Sequence, residues 1–183
     1  MNKTTSAPGG SLREMILAAF FMALGLVLPF LTGQIPEIGR LLSPMHIPIL
    51  LCGFICGWRY GGVVGFITPL LRSFLFGIPV LYPMAIGMAF ELMTYGIVAG
   101  LLYVVWQKRN LLTTYVTLII AMLAGRCVWG IASLALYGLA GNPFTWSMFL
   151  TGAFLGAIPG IILHLVIIPP IVMVVERYRR REG

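Results

Sequence analysis

The chain has 183 residues, of which 60% are hydrophobic and only 9% are charged. A soluble domain carries roughly 25% charged residues, so this deficit predicts an integral membrane protein. The five acidic residues are all glutamates, which excludes a Walker B aspartate and calcium loops built on aspartate. The phosphate-binding pattern GxxxxGK[ST] is absent as well. We therefore expect no ATPase site, no cofactor and no catalytic residues in this chain.

The cysteines and the basic charge do not indicate a metal site or nucleic acid. Cys52 and Cys56 lie four residues apart in an apolar run and Cys127 is isolated, which matches neither zinc-ligand nor disulfide spacing. The net charge of +7 comes from basic residues between apolar runs, whereas nucleic-acid binding needs one basic face with stacking aromatics. We predict a lipid-embedded protein that binds neither a metal ion nor nucleic acid.

Apolar stretches divide the chain into about six spans, since roughly 20 apolar residues cross ~30 Å of hydrocarbon. The predicted fold is an all-α bundle in which the second and third spans form a tight hairpin. Proline residues should bend the sixth span. One membrane domain (13–176) lies between cytoplasmic tails (1–12 and 177–183). The spans are placed near 13–32, 45–59, 61–77, 83–106, 112–138 and 147–176.

Basic residues in the short loops predict that both termini are cytoplasmic. Except for Arg40, these basic residues fall on one side of the membrane if the chain starts inside and crosses at each predicted span. The opposite loops carry only Arg40, which Glu37 offsets. The basic residues on the predicted inner side are Lys3, Arg13, Arg59, Lys108, Arg109, Arg177, Arg179, Arg180 and Arg181.

Ionisable residues inside the predicted spans are candidate functional groups, because each costs at least ~2.5–3.5 kcal/mol on insertion scales. At 1.5 Å per residue, Glu91 lies ~12 Å, Arg126 ~18 Å and Arg72 ~7 Å below the outer ends of their helices. All three are within reach of one cavity that opens outward. Glu91 and Arg126 can form an ion pair in the low dielectric.

That pair has two interpretations, a salt bridge that fixes helix packing or the polar floor of a solute pocket. Tyr95 lies one turn from Glu91, and Trp129 and Ser133 share a helical face with Arg126. Aromatic walls with a few polar groups are typical of small-molecule pockets. These neighbours favour the pocket.

Two histidines have different expectations. His46 begins the second span, where prolines at a helix start are tolerated; it either contacts substrate or caps the loop. His164 lies between Pro159 and Pro169 in the sixth span. We expect it deeper, toward the cytoplasmic side, bonded to a carbonyl freed by the proline bend.

Small residues mark the first span. Ala19 and Ala23 lie four residues apart on one helical face, a spacing that lets another helix approach closely in lipid. Ordinary packing inside the bundle explains the same spacing equally well.

Several motifs are spread over nearly the whole chain. They are Ala19-x-x-x-Ala23, Leu42-Ser43-Pro44-Met45-His46-Ile47-Pro48, Pro69-Leu70-Leu71-Arg72, Pro83-Met84-Ala85, Glu91 and Tyr95-Gly96. In these residues the chain resembles the substrate-binding S components of energy-coupling factor (ECF) vitamin transporters. The resemblance implies a protein that captures a vitamin outside, joins a transmembrane coupling protein and two cytosolic ATPases, and topples to deliver its cargo. The partner ATPases would use the ATP.

The resemblance also implies residue roles. Ala19 and Ala23 would contact the coupling protein. The ligand would lie among the outer parts of the fourth to sixth helices, closed by the loop Gly33–Ser43. In that loop, Gln34, Glu37 and Arg40 are candidates to cover the ligand.

The charges of the predicted site residues are the only guide to which vitamin is bound. Pantothenate suits the excess of Arg72 and Arg126 over Glu91, because a guanidinium grips a carboxylate well. A pyridoxine or hydroxymethylpyrimidine ring would instead stack on Trp129 or Tyr95, with Glu91 as acceptor. Pantothenate is the preferred prediction.

Other functional classes fit less well. A stand-alone proton-coupled carrier in the prokaryotic plasma membrane could use Glu91 as its proton site, but the halves of the chain show no repeat. An intramembrane enzyme would need a nucleophile beside a base, and the sequence offers none.

Overall fold

A computed structural model describes residues 12–32, 42–106 and 110–182, and in these ranges the chain is helical without strands. Short 3-10 turns follow the first helix (Leu28–Thr32) and precede the last (Leu155–Ala157), and a π-helical turn (Leu81–Ala85) precedes the fourth. The α-helices are α1 (Leu12–Val27), α2 (His46–Cys56), α3 (Trp58–Phe76), α4 (Ile86–Val105), α5 (Leu111–Leu139), α6 (Trp146–Ala153) and α7 (Ile158–Glu182).

The helices have the lengths that a membrane fold requires. Stretches long and apolar enough to cross a bilayer run over Leu12–Leu31, Leu81–Val105, Leu111–Leu139 and Trp146–Tyr178. Each overlaps a span predicted from the sequence, so the all-α membrane fold is confirmed.

The predicted hairpin of the second and third spans is present as α2 and α3. Its break is Gly57, whose φ of 89° favours glycine, and it comes shortly before the boundary between the predicted spans 45–59 and 61–77. With 11 residues, α2 is only ~16 Å long and too short to cross alone. All its residues are buried, because α1, α3, α4 and α7 surround it. Although it is short, α2 therefore lies at the centre of the core.

Glycines let α2, α3 and α4 meet backbone to backbone. A Cβ atom on Gly96 would lie 2.1 Å from the carbonyl oxygen of Gly61. One on Gly61 would lie 2.7 Å from the Cα atom of Gly53, and one on Gly65 only 2.3 Å from the carbonyl oxygen of Leu92. Such close approach is how helices associate in lipid. From the sequence, close approach of helices was predicted only at the alanines of the first span and not at these glycines.

The sixth predicted span (147–176) is divided by a turn that lies before its prolines. A 3-10 turn at Leu155–Ala157 separates α6 from α7, whereas Pro169 and Pro170 lie inside α7. Pro159 is the second residue of α7, within the first turn, where the missing N–H has no intrahelical acceptor. It therefore starts a helix instead of bending one.

Candidate ligand-binding site

Glu91 of α4 lies at the centre of a buried polar cluster. Its Oε1 atom lies 2.9 Å from Nη1 of Arg126 on α5 and accepts a hydrogen bond of 2.7 Å from the hydroxyl of Tyr95. Glu91 is 2% exposed and Tyr95 1%. The ring of Tyr95 lies against Gly125, where a Cβ atom would come within 2.1 Å of Tyr95 Cε1. The ion pair proposed from helix depth is thus present, with the predicted tyrosine on the same carboxylate.

His46 joins this cluster from the first turn of α2. Its Nε2 atom lies 3.8 Å from Glu91 Oε1, which is too long for a hydrogen bond, and its ring centroid lies 5.5 Å from that of Tyr95. Both ring nitrogens are buried, and neither has a hydrogen-bond partner in the part of the chain that the structure describes. His46 therefore faces the cluster.

His164 is also part of the cluster, which the sequence analysis did not predict. Its ring stacks on His46 with centroids 5.8 Å apart, and its Nε2 atom lies 3.3 Å from the carbonyl oxygen of Ser43. The expectation of a carbonyl freed by its own proline bend was wrong, because the carbonyl belongs to Ser43, before α2. Because α7 begins only at Ile158, His164 lies ~9 Å from the end of α7 that is predicted to face outside.

Trp129 and Ser133 form a layer over the ion pair. Both follow the buried arginine on α5, and a Cβ atom on Gly87 of α4 would lie 3.6 Å from Trp129 Nε1 and from Ser133 Oγ. The indole of Trp129 stacks on Phe149 of α6 with centroids 6.3 Å apart. This layer connects the polar cluster to the short helix α6.

Arg72 lies elsewhere in the bundle. Its Nη1 atom donates to the carbonyl oxygen of Leu26 at 2.5 Å, in the last turn of α1, where helix carbonyls lack intrahelical donors. The guanidinium lies 5.1 Å from the ring centroid of Phe30 and 5.4 Å from that of Phe76. These contacts tie α3 to the end of α1, and they separate Arg72 from the role we predicted beside Glu91.

The other predicted residues do not all fall within the part of the chain that the structure describes. Gln34, Glu37 and Arg40 fall outside the described residues. Ala19 and Ala23 are exposed on α1, while Ala18, Phe21 and Gly25 form its buried side. Packing inside the bundle therefore does not explain the alanine spacing.

The cluster combines an ion pair with histidine and tyrosine rings. The ion pair contributes one negative and one positive charge at its centre. Within the described ranges, no group of three or more His, Cys, Asp or Glu side chains could hold a metal ion.

The comparisons with known proteins agree with this architecture. No curated protein and no solved structure matches the chain significantly. The sequence model of the family described as "ECF transporter, substrate-specific component" matches residues 13–172, which include every residue of the cluster. The chain belongs to the family of substrate-specific components of ECF transporters.

Proposed function

We propose that this protein captures a small water-soluble vitamin or vitamin precursor outside a prokaryotic cell and passes it inward across the plasma membrane as part of an ECF importer. The observation that carries the proposal is the buried cluster around Glu91, at the end of the bundle that the basic loops predict to face outside. Ionisable groups are retained at such depth mainly where they serve a solute or an ion.

Each residue of the cluster has a proposed role. Arg126 and Glu91 form the polar floor, and Tyr95 fixes the carboxylate. Trp129 offers a flat face for a ring, and the hydroxyl of Ser133 lies in the same layer. The imidazole of His46 supplies ring nitrogens at the edge of the floor.

Arg72 and Gln34, which were also predicted to contact the ligand, are proposed to have other roles. We assign Arg72 to the α1–α3 contact, where it holds the end of α1, rather than to the ligand. Gln34 is proposed to cover the ligand from the loop after α1.

The partners we propose are a transmembrane coupling protein and two cytosolic ATPase subunits, which would use the ATP. Exposure of Ala19 and Ala23 on α1 supports a helix docking there, because small side chains allow close approach in lipid.

The first experiment is mass spectrometry of small molecules that co-purify with the detergent-solubilised protein. Each hit is then titrated against the ligand-free form. One vitamin-sized compound bound tightly would support the capture function. If nothing co-purifies and a vitamin panel does not bind, the capture function is wrong.

Transport assays distinguish the alternative, a proton-coupled carrier. Uptake that stops when the ATPase pair is deleted but survives a protonophore in ATP-supplied vesicles supports the ECF mechanism. Uptake that persists without the ATPases and collapses with the proton gradient would assign the function to a carrier that uses Glu91.

A further inference from the structure

The charges of the cluster already balance before a ligand arrives. Glu91 and Arg126 are 2.9 Å apart and contribute one negative and one positive charge. The second buried cation, Arg72, donates to the carbonyl oxygen of Leu26 and lies over phenylalanine rings. Neither arginine is therefore left as an unpaired positive charge that would attract a carboxylate ligand. A carboxylate placed here would be a second buried anion, and an unpaired buried charge is costly.

The histidines show which hydrogen-bonding groups a ligand must bring. A carbonyl oxygen only accepts, so the contact between His164 Nε2 and Ser43 requires the proton on Nε2. In a neutral imidazole the other nitrogen, Nδ1, then has only a lone pair to offer. His164 Nδ1 is buried and lacks a hydrogen-bond partner among the described residues. It is an acceptor without a donor.

The neighbouring groups complete this pattern. Both nitrogens of His46 and the Nε atom of Arg126 are likewise buried without a hydrogen-bond partner among residues 12–32, 42–106 and 110–182. A buried polar group that stays unsatisfied destabilises the protein. The two imidazoles stack with centroids 5.8 Å apart. A neutral imidazole has one acceptor nitrogen and one N–H donor. His164 and His46 therefore present one acceptor each, and His46 and Arg126 present donors.

We propose that the ligand carries no net charge, donates hydrogen bonds from hydroxyl or amino groups to His164 Nδ1 and His46, and accepts one from Arg126 Nε. This inference rests on the proposed capture function and names the ligand class for the same site. It makes His164 a ligand-contacting residue. It favours a hydroxylated or amino-substituted ring, such as pyridoxine or hydroxymethylpyrimidine, over pantothenate.

The competing arrangement is a carboxylate bound together with a proton on His46. The groups that face His46 are Glu91 and Tyr95 from α4 and His164 from α7, and Arg126 is paired with the same Oε1 atom of Glu91. A protonated His46 would give the cluster one net positive charge, which an anion would balance. Binding of an anion would then take up a proton from the buffer, whereas an uncharged ligand needs none.

Matched ligand pairs test the charge. The full-length protein is titrated calorimetrically with pyridoxine and pyridoxate, and with panthenol and pantothenate, which differ within each pair in a hydroxymethyl group or carboxylate. Two buffers of different ionisation enthalpy report proton uptake.

For the ligand pair that binds, we expect the uncharged member to bind at least tenfold more tightly than the carboxylate, without proton uptake. A carboxylate that binds equally or more tightly, or with a proton, overturns the inference and leaves the capture function standing. If hydroxymethylpyrimidine and all four compounds fail to bind and nothing co-purifies, the capture function itself fails.

Two substitutions test the histidine. In His164→Gln the side-chain amide reaches the Nε2 position and can still donate to Ser43, but the Nδ1 acceptor is gone. We expect at least tenfold weaker binding of the uncharged ligand with a thermal midpoint close to that of the wild type. His164→Asn keeps a group at the Nδ1 position and loses the Ser43 contact, so it should lower the midpoint and weaken binding less. If His164→Gln binds as tightly as the wild type, His164 does not contact the ligand.

Discussion

A single atom, Oε1 of Glu91, connects three elements of the bundle. It receives the guanidinium of Arg126 from α5 and the hydroxyl of Tyr95 from α4, and His46 approaches it from α2. Removing one partner leaves the other polar groups buried without compensation, a larger effect than the net strength of one hydrogen bond. The cluster is therefore sensitive to single substitutions.

The depth of residues along their helices predicted part of this cluster. Glu91, Tyr95 and Arg126 lie on long helices whose ends the apolar pattern locates well, and the ion pair expected from their depths is present. His164 could not be placed in this way, because its depth depends on where α7 begins. That position is set by a turn at Leu155–Ala157 for which apolar composition gives no signal.

Arg126→Ala and Glu91→Ala should each weaken ligand binding by at least ~2 kcal/mol, since each leaves its partner charge unpaired. Titration of the ligand and a thermal melt measure binding and folding separately. Arg59→Ala, at an exposed arginine on the predicted cytoplasmic side, is the control and should bind normally. If both cluster variants fail to fold, the pair is a structural salt bridge.

Gly125→Ala should weaken ligand binding without removing any polar group. The new Cβ atom would lie 2.1 Å from Tyr95 Cε1, so the ring must move and its hydrogen bond to Glu91 is lost. Overpacking of this kind costs ~1–3 kcal/mol of stability. Gly138→Ala on the same helix is the control, because its Cβ atom meets nothing within 4 Å. Equal ligand affinity of the two variants would contradict the positioning of Tyr95 by Gly125.

At the scale of elements, close backbone contacts fix how α3 packs on α4. In lipid the hydrophobic effect does not drive helices together, so packing and interhelical hydrogen bonds must. Gly61 and Gly65 on α3 lie against α4, where Gly96 and Gly100 approach the backbone of α3 in turn. The spacing of four residues is visible in the sequence, but which glycines face each other depends on how the helices are rotated.

Gly61→Ala and Gly96→Ala should each prevent α3 and α4 from packing, because the added Cβ atom meets backbone atoms, which cannot move cheaply. We expect a loss of monodisperse protein in size-exclusion chromatography and a thermal midpoint several degrees lower. Gly62→Ala is the adjacent control, since its Cβ atom meets the side chain of Ile97 at 2.8 Å, and this can shift. A variant of Gly61 as stable as that of Gly62 would show that the contact is not limiting.

At the scale of the whole molecule, the side of α1 that carries Ala19 and Ala23 is exposed in the part of the chain that the structure describes. Large apolar side chains such as Phe20 (55% exposed) and Val27 (58% exposed) surround Ala19 and Ala23 there. Membership in the family of substrate-specific components explains why such a face exists. The sequence predicted the alanine pair, but only the arrangement of the helices shows that it faces away from the core.

Ala23→Trp should abolish transport while ligand binding stays within about threefold of the wild type, because bulk on the proposed docking face blocks a neighbouring helix but lies outside the cluster. Uptake by cells that contain the complete importer and titration of the purified chain measure the two properties. The matched control is Ala135→Trp at an exposed position of α5, which should preserve both. Normal uptake with Ala23→Trp would exclude this face as the coupling surface.

The pairing of Glu91 with Arg126 also has a consequence for the voltage across the cell membrane. The two charges lie 2.9 Å apart, so they would move together if the bundle reoriented. A lone charge carried across the full membrane potential gains or loses ~2.3 kcal/mol per 100 mV. For the joined pair these contributions would cancel, so with the uncharged cargo proposed above the loaded cluster would move no net charge.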